Sequence, residues 1–516
     1  MERSKVGRVS QEKRALIFTI RGLMSDYLSE TGFYWRPLGG NNIDQISGHC
    51  YQYTDISLVN GKKNISSIIV DLGKFDNHQA LGIKNSIAAL PDIRELLTNK
   101  RVNLQAIFFT HSHPDHLNGV VHYIKAGYIL PELYGGKYTK LILDQLCDEF
   151  CIPTNNRPKF NIINIGDIIK LGSLTLEILP ASHTCFDSLG FIIQSNSDVC
   201  VYHTGDMKTD NSTCFRKPTN LKRLNKLAKK IDYVVADFYG AADDGFATKE
   251  IDTYKEIVRL IRQCHKEKIF VSVYPTHAEM YLIAFLAALK NKKDVVFYGN
   301  KDFYSYLELI KKYGIDFEKL AKNRINVYVG RPQNIKKGFV VVGTFNDIHN
   351  YFAESPDNSF GIITSGTFFN PLRGQFNARG IKFADVDKHP FLQSVGHGFW
   401  GDLEKLNRTL SSPTFIPTHC PQYITDYCRD LAKISKIKLA SPTPQNNHIY
   451  KLEKKHFKEI STQPAVWLVA SSHGESICFS EMWQKPTSGT GFLKRTLSKR
   501  RCQAKFREMC HKRKTR

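Results

Sequence analysis

Four residues able to bind a metal fall within six positions, in the run His111-Ser112-His113-Pro114-Asp115-His116. Imidazole and carboxylate are ligands that Zn²⁺ accepts, and a tight loop can direct alternate side chains toward two adjacent ions. The run follows the β-rich stretch 106–110 and precedes an amphipathic stretch at 117–124, so it occupies a strand-to-helix loop. Two ions need further ligands, and two more candidates stand at strand ends. His183 follows the apolar run 174–179, and Asp206 follows 199–203 through Thr204-Gly205. Alone, His183 reads as an ordinary surface or core histidine and Asp206 as a turn residue beside a glycine. Together they complete a set: His111, His113 and His183 for one ion, Asp115 and His116 for the second, and Asp206 between them. Such a pair stabilises the attacking and leaving oxygens of an in-line displacement and supplies hydroxide near neutral pH.

The elements that must hold these residues divide the chain by texture. Short β-rich runs at 68–73, 106–110, 174–179, 191–194 and 199–203 alternate with Gly, Asn and Asp turns. Beyond Gly245 helices and strands alternate. Ile251, Tyr254, Ile257, Val258 and Ile261 keep helical spacing, 269–274 is a strand, 280–289 a helix, 295–298 a strand and 303–310 a helix, with further strands at 338–342 and 361–364. This alternation predicts a parallel α/β unit. After Lys382 the strand-and-loop texture returns, with a short strand at 414–417 ahead of His419, so the second unit is inserted into the first.

A chain of 516 residues with 42% apolar side chains buries a full core. No window approaches the roughly 18 apolar residues of a membrane span, and the start, Met1-Glu2-Arg3-Ser4-Lys5, has no signal-peptide pattern. The expectation is a cytoplasmic protein without a membrane partner, its 12 cysteines reduced. A net charge of +23 favours polyanions, nucleic acid first. Part of that charge crowds 494–516, where a solvated tail is the ordinary reading.

The ordered set HSHPDH, SHT and HTGD resembles the metal motifs of the metallo-β-lactamase superfamily. Pro37-Leu38-Gly39-Gly40, Val70-Asp71-Leu72-Gly73, Pro91-Asp92-Ile93 and Thr204-Gly205-Asp206-Met207-Lys208 are similar, in the same order, to segments of the ribonuclease J group. The likeness covers roughly residues 36 to 425. It implies an α/β fold, a metallo-β-lactamase αββα sandwich at 30–247 and 385–452 enclosing a parallel α/β β-CASP domain at 248–384. A small appendage and basic tail follow at 453–516. Asp237, His397 and His419 resemble the three β-CASP motif residues. The resemblance implies that His419 completes the second metal site, His397 is the general acid beside the scissile phosphate, and Asp237 orients the site; Asp115, Asp237 and His397 form the expected catalytic set. Gly396, Lys208, Arg373 and Arg379 are the expected substrate contacts. The implied activity is metal-dependent hydrolysis of RNA, exo- or endonucleolytic, with two Zn²⁺ ions or Mn²⁺ in their place. Single-stranded DNA is the alternative polymer and a homodimer the allowed assembly. A nucleic-acid-binding protein without turnover is the reading from a different class.

Several segments depart from that family. Gln393 and Val395 precede the second motif where the group carries a histidine and a serine. Tyr274-Pro275-Thr276-His277-Ala278-Glu279 replaces a Ser-Asn segment, and Gly343-Thr344-Phe345-Asn346-Asp347 a Gly-Ser-Gln-Gly-Glu-like one. In the family those segments help bind the 5′-phosphate and the RNA backbone, so weak 5′-end discrimination is expected here.

Overall fold

The computed structural model describes residues 27–483, apart from 42–46, 76–85, 215, 265–267, 333–337, 345–346, 349–350, 352–357, 365–370, 394, 455, 463–465 and 474–475. The basic run at 494–516 and the first residues of the chain lie outside the described residues.

Two mixed sheets face each other. The first has eight strands, in the order Phe457–Ser461, Ile449–Leu452, Gly32–Gly39, Cys50–Val59, Lys62–Val70, Leu104–Phe108, Glu132–Gly135 and Phe160–Ile162. The second has seven, in the order Lys438–Leu439, Thr414–Thr418, Tyr233–Asp237, Cys200–His203, Leu189–Ser195, Leu174–Pro180 and Ile168–Leu171. Alternation along the strands dictates the layering, because successive side chains point to opposite faces. Phe33, Trp35, Tyr53, Ile68 and Phe108 of the first sheet meet Leu176, Phe191, Val201, Val235 and Ile416 of the second in one buried cluster. Helices cover the outer faces. Leu117, Val120, Ile142 and Leu143 pack on the first sheet with Ile69 and Ile107, and Leu224, Leu403, Leu406 and Leu431 on the second with Val234 and Phe415. The result is a four-layer α/β/β/α sandwich.

The chain leaves the second sheet after Asp237 and returns to it at Thr414, where Asp237 pairs with Thr418 in a parallel register. Between them lies a six-stranded, wholly parallel sheet, in the order Val327–Val329, Asp294–Phe297, Phe339–Gly343, Lys268–Ser272, Ser359–Ile363 and Lys382–Ala384. Its central strands read as unbroken apolar runs, as a sheet buried on both faces requires. The helix Ala278–Lys290 is buried almost all round against this sheet and the helix Glu250–Gln263.

The described part of the segment after 453 is built of strands. Phe457–Ser461 extends the first sheet, and the hairpin Val466–His473 with Ser476–Trp483 pairs with Ser86–Pro91. The pairing joins residues far apart in sequence, which no local pattern reveals. Nine cysteines, from Cys50 to Cys428, are free thiols. Among the described residues no helix is long and apolar enough to cross a membrane.

Candidate metal centre

Parallel strands bring the ligand candidates to one edge. His203 pairs with Val235 and Asp237 with Thr418, so the strands leading to Asp206, Asp237 and His419 end side by side. His111 lies just beyond Leu104–Phe108 on the facing sheet, and His183 just beyond Leu174–Pro180. Two backbones are held in the left-handed region at this edge, Asp71 at φ 62° and His419 at φ 55°. Such conformations cost about 1–3 kcal/mol and persist where surrounding contacts over-determine them.

Asp206 is the hub. Its Oδ2 lies 3.3 Å from His116 Nε2, 3.7 Å from His183 Nε2 and 3.8 Å from His111 Nε2, while its Oδ1 lies 3.2 Å from His419 Nδ1. His183 Nε2 is 3.1 Å from His113 Nδ1. Donor atoms of His111, His113 and His183 all fall within 4.8 Å of one another, and so do those of His49, His116 and His419. On the same edge His397 Nδ1 stands 2.7 Å from Asp237 Oδ2. Supporting bonds fix the rings. Asp71 accepts from His116 Nδ1 at 2.8 Å and from the Thr110 backbone N–H at 2.8 Å, and the Gly396 carbonyl lies 3.0 Å from His183 Nδ1. Such second partners set the tautomer and aim the other ring nitrogen at the metal position.

Burial drives the imidazoles apart electrically. It pushes His113 down to about 4, and His111 and His183 well below the usual histidine value, so these rings are neutral and offer lone pairs. Burial opposes charge on His116 and His419 too, but Asp206 and its neighbouring carboxylates outweigh it, raising His116 well above its ordinary value and His419 to about 9. In turn burial pushes the Asp206 carboxyl up, and His419 and His116 more than reverse this, holding it well below its usual range. Bound metal would replace those protons.

The donor set fits divalent ions. Nε2 of His49, His111, His113 and His116 is buried with no hydrogen-bond partner. Orphaning a buried polar atom costs about 1–3 kcal/mol. A cation coordinated by these nitrogens removes the penalty.

His49, Asp71 and His277 were not assigned roles by the sequence reading. His277 comes from the inserted unit, its ring stacked 5.9 Å from His113, and burial pushes it down to about 3. Half-exposed Tyr239 packs its ring 4.5 Å from His397.

The four expected substrate contacts are placed differently. Lys208 is buried, donates to the Thr248 carbonyl at 2.7 Å and faces Asp210 at 3.6 Å, so its charge is spent inside the protein. Arg373 pairs with Asp385 at 2.7 Å and Asp387 at 2.8 Å, and Arg379 donates to the Gln375 carbonyl. Gly396 serves through its carbonyl on His183. Of the departing segments, Phe345, Asn346 and Ser394 lie outside the described residues.

Comparison with known proteins agrees with this geometry. A family model for the beta-lactamase superfamily domain matches residues 87–277. Ribonuclease J of Mycobacterium tuberculosis is 26% identical over 197 residues, which cover 38% of this chain and 34% of that protein. Ribonuclease J2 of Bacillus subtilis is 23% identical over 308 residues, 59% of this chain and 49% of that protein. Over these stretches the chain is similar to ribonuclease J. The match spans about a third to a half of these relatives' own length. A crystal structure of a protein of unknown function from Enterococcus faecalis, 17% identical, superposes with a TM-score of 0.54 over 84% of this chain and 100% of that one. It supports the fold. The metallo-β-lactamase fold implies metal ions, and the His and Asp clusters are the candidate sites.

Proposed function

We propose that this chain is a metal-dependent ribonuclease in which a β-CASP unit at 248–384 interrupts a metallo-β-lactamase unit at 30–247 and 385–452. The observation that carries the proposal is the Asp206 carboxylate between two imidazole trios, with the His397–Asp237 pair on the same edge. His111, His113 and His183 would hold one ion, Asp115, His116 and His419 the second, and Asp206 would serve both. Zn²⁺ suits the nitrogen-rich set, with Mn²⁺ as the alternative. When bound, such a pair supplies a nucleophile at neutral pH and neutralises charge on a phosphoryl group.

The chain's own residues do the rest. Asp237 accepts the Nδ1 proton of His397 at 2.7 Å, which leaves Nε2 to carry a proton to the departing oxygen. Asp237 is also anchored, accepting from the backbone N–H of Tyr239 at 2.9 Å, so the acid is held in one orientation. Unlike those of His111 and His183, the His397 ring is partly open to solvent, as a group that must reach a polymer requires. The net charge of +23 favours retention of a polyanion. RNA is the substrate by likeness to the ribonuclease J relatives. Matched RNA and single-stranded DNA, end-labelled and incubated with zinc- or manganese-loaded protein, test the polymer choice. Cleavage of DNA alone would replace the ribonuclease reading with that of a DNA nuclease.

A further inference from the structure

We propose that His49 is a further ligand of the second metal site in this chain, beside His116, His419 and Asp115. The proposal rests on the two-metal reading above.

His49 belongs to no metal motif; it stands between Gly48 and Cys50 at the start of the strand Cys50–Val59. The backbone is built to admit its ring. Gly48 has φ +72°, and a Cβ on Gly40 would lie 2.5 Å from His49 Nδ1. The His49 N–H donates to the Asp115 carbonyl at 2.8 Å, and its carbonyl accepts from the Gly73 N–H at 3.0 Å, so His49 is tied to the loop that presents Asp115. Its ring is stacked 4.1 Å from His116 and edge-on 4.2 Å from His419.

The two ring nitrogens have distinct surroundings. Nδ1 is 2.8 Å from the Tyr51 hydroxyl, the kind of second partner that fixes a ligating histidine. Nε2 is buried and has no hydrogen-bond partner. It lies 3.6 Å from Asp115 Oδ2, and the Nε2 atoms of His116 and His419 lie 3.7 Å and 3.8 Å from that same oxygen. Three near-equal edges converge on one carboxylate oxygen. Around a tetrahedral zinc with bonds of about 2.0–2.1 Å the ligand-to-ligand edges are about 3.3 Å, so a small contraction brings these donors to one ion. A histidine serving only as packing would leave this nitrogen orphaned at a cost; a ligand does not.

The added ligand separates the sites by number. With Asp206 serving both ions, the first has four protein donors and the second, with His49, five. The second ion is then the more slowly exchanging of the two.

The test uses the full chain, stripped and reloaded with Zn²⁺ or Co²⁺, with chelator competition and metal content as readouts. Wild type should release one ion readily and retain a second. His49→Ala should weaken the retained ion by more than the tenfold to hundredfold cost of losing a supporting partner, and shift it toward Mn²⁺. Tyr51→Phe keeps the ligand but removes its brace and should weaken the same ion by roughly tenfold. Two ions of unchanged affinity in His49→Ala would make His49 a packing residue while leaving the two-metal reading intact. No metal in reloaded wild type would remove both. Should His49→Ala fail to fold, an unaltered retained ion in Tyr51→Phe overturns the proposal.

Discussion

Replacing Gly396 with alanine should cost the first metal site its ion while touching no ligand. A Cβ there would lie 2.4 Å from both Cε1 and Nδ1 of His183, and 3.2 Å from Thr184 Cγ2. The backbone at Gly396 is not left-handed, so the strain falls on the imidazole. That ring is hemmed in. Its Nε2 is 3.1 Å from His113 Nδ1, its centroid is 4.6 Å from that of His111, and its Nδ1 is held by the Gly396 carbonyl at 3.0 Å. To relieve the clash it must tilt, which breaks that hydrogen bond and turns Nε2 away from Asp206. Loss of one supporting partner of a ligand lowers metal affinity by about tenfold to a hundredfold, or roughly 1.4–2.7 kcal/mol. Chelator competition on the reloaded protein should therefore show one weakened ion and one unchanged, with circular dichroism matching wild type. Gly374→Ala is the control. It sits in the helix Leu372–Ala378 with nothing within 4 Å of a new Cβ, and should leave both ions alone while adding up to about 1 kcal/mol of helix stability. Two ions of wild-type affinity in Gly396→Ala would refute the argument that this carbonyl aims His183.

Three further outcomes follow from named contacts. Asp206→Ala should deplete both ions, measured as metal content, because Asp206 faces both trios; loss of only one would contradict its shared role. Asp187 is pushed up to about 7 by burial although it accepts from the Tyr138 N–H, so its protonated form is the one the fold prefers. That contribution is complete below about pH 4 and lost as pH rises through 7, where the ionised group costs about 4 kcal/mol. Asp187→Asn should accordingly gain stability over wild type in urea melts, by a margin that widens from pH 4 to 7 and then levels; a pH-independent margin would count against it. Lys208→Gln should destabilise by about 3–5 kcal/mol by leaving buried Asp210 uncompensated, without changing the salt dependence of RNA binding. A flatter salt slope would return Lys208 to the substrate surface.

The sequence was most legible where chemistry follows an apolar strand. His111, His183, Asp206 and His419 each come directly after a buried β-run, and parallel registers carry those ends to one edge. His49 was not legible, because it precedes its strand and has no neighbouring ligand; its placement depends on the pairing of Tyr51 with Val70, which carries its carbonyl to the Gly73 N–H. Asp71 stood inside a recognisable segment, yet its work, bracing His116 and Thr110, exists only across the turn. Lys208 advertises charge, but its surroundings decide its role, and the Thr248 carbonyl that holds it inside the protein is supplied by the fold. The hairpin at 466–483 hid in a polar stretch because its partner strand, Ser86–Pro91, comes from the other end of the chain.

The most direct measurement compares wild type and His397→Ala on end-labelled single-stranded RNA, with metal content and RNA affinity determined on the same preparations. The account predicts metal-dependent cleavage that chelator abolishes and Zn²⁺ or Mn²⁺ restores. It further predicts that His397→Ala keeps both ions and the RNA affinity while losing about 10²–10⁴ in rate. Metal-loaded wild type that binds RNA without cutting it, or a His397→Ala variant that cuts at the wild-type rate, would contradict the account.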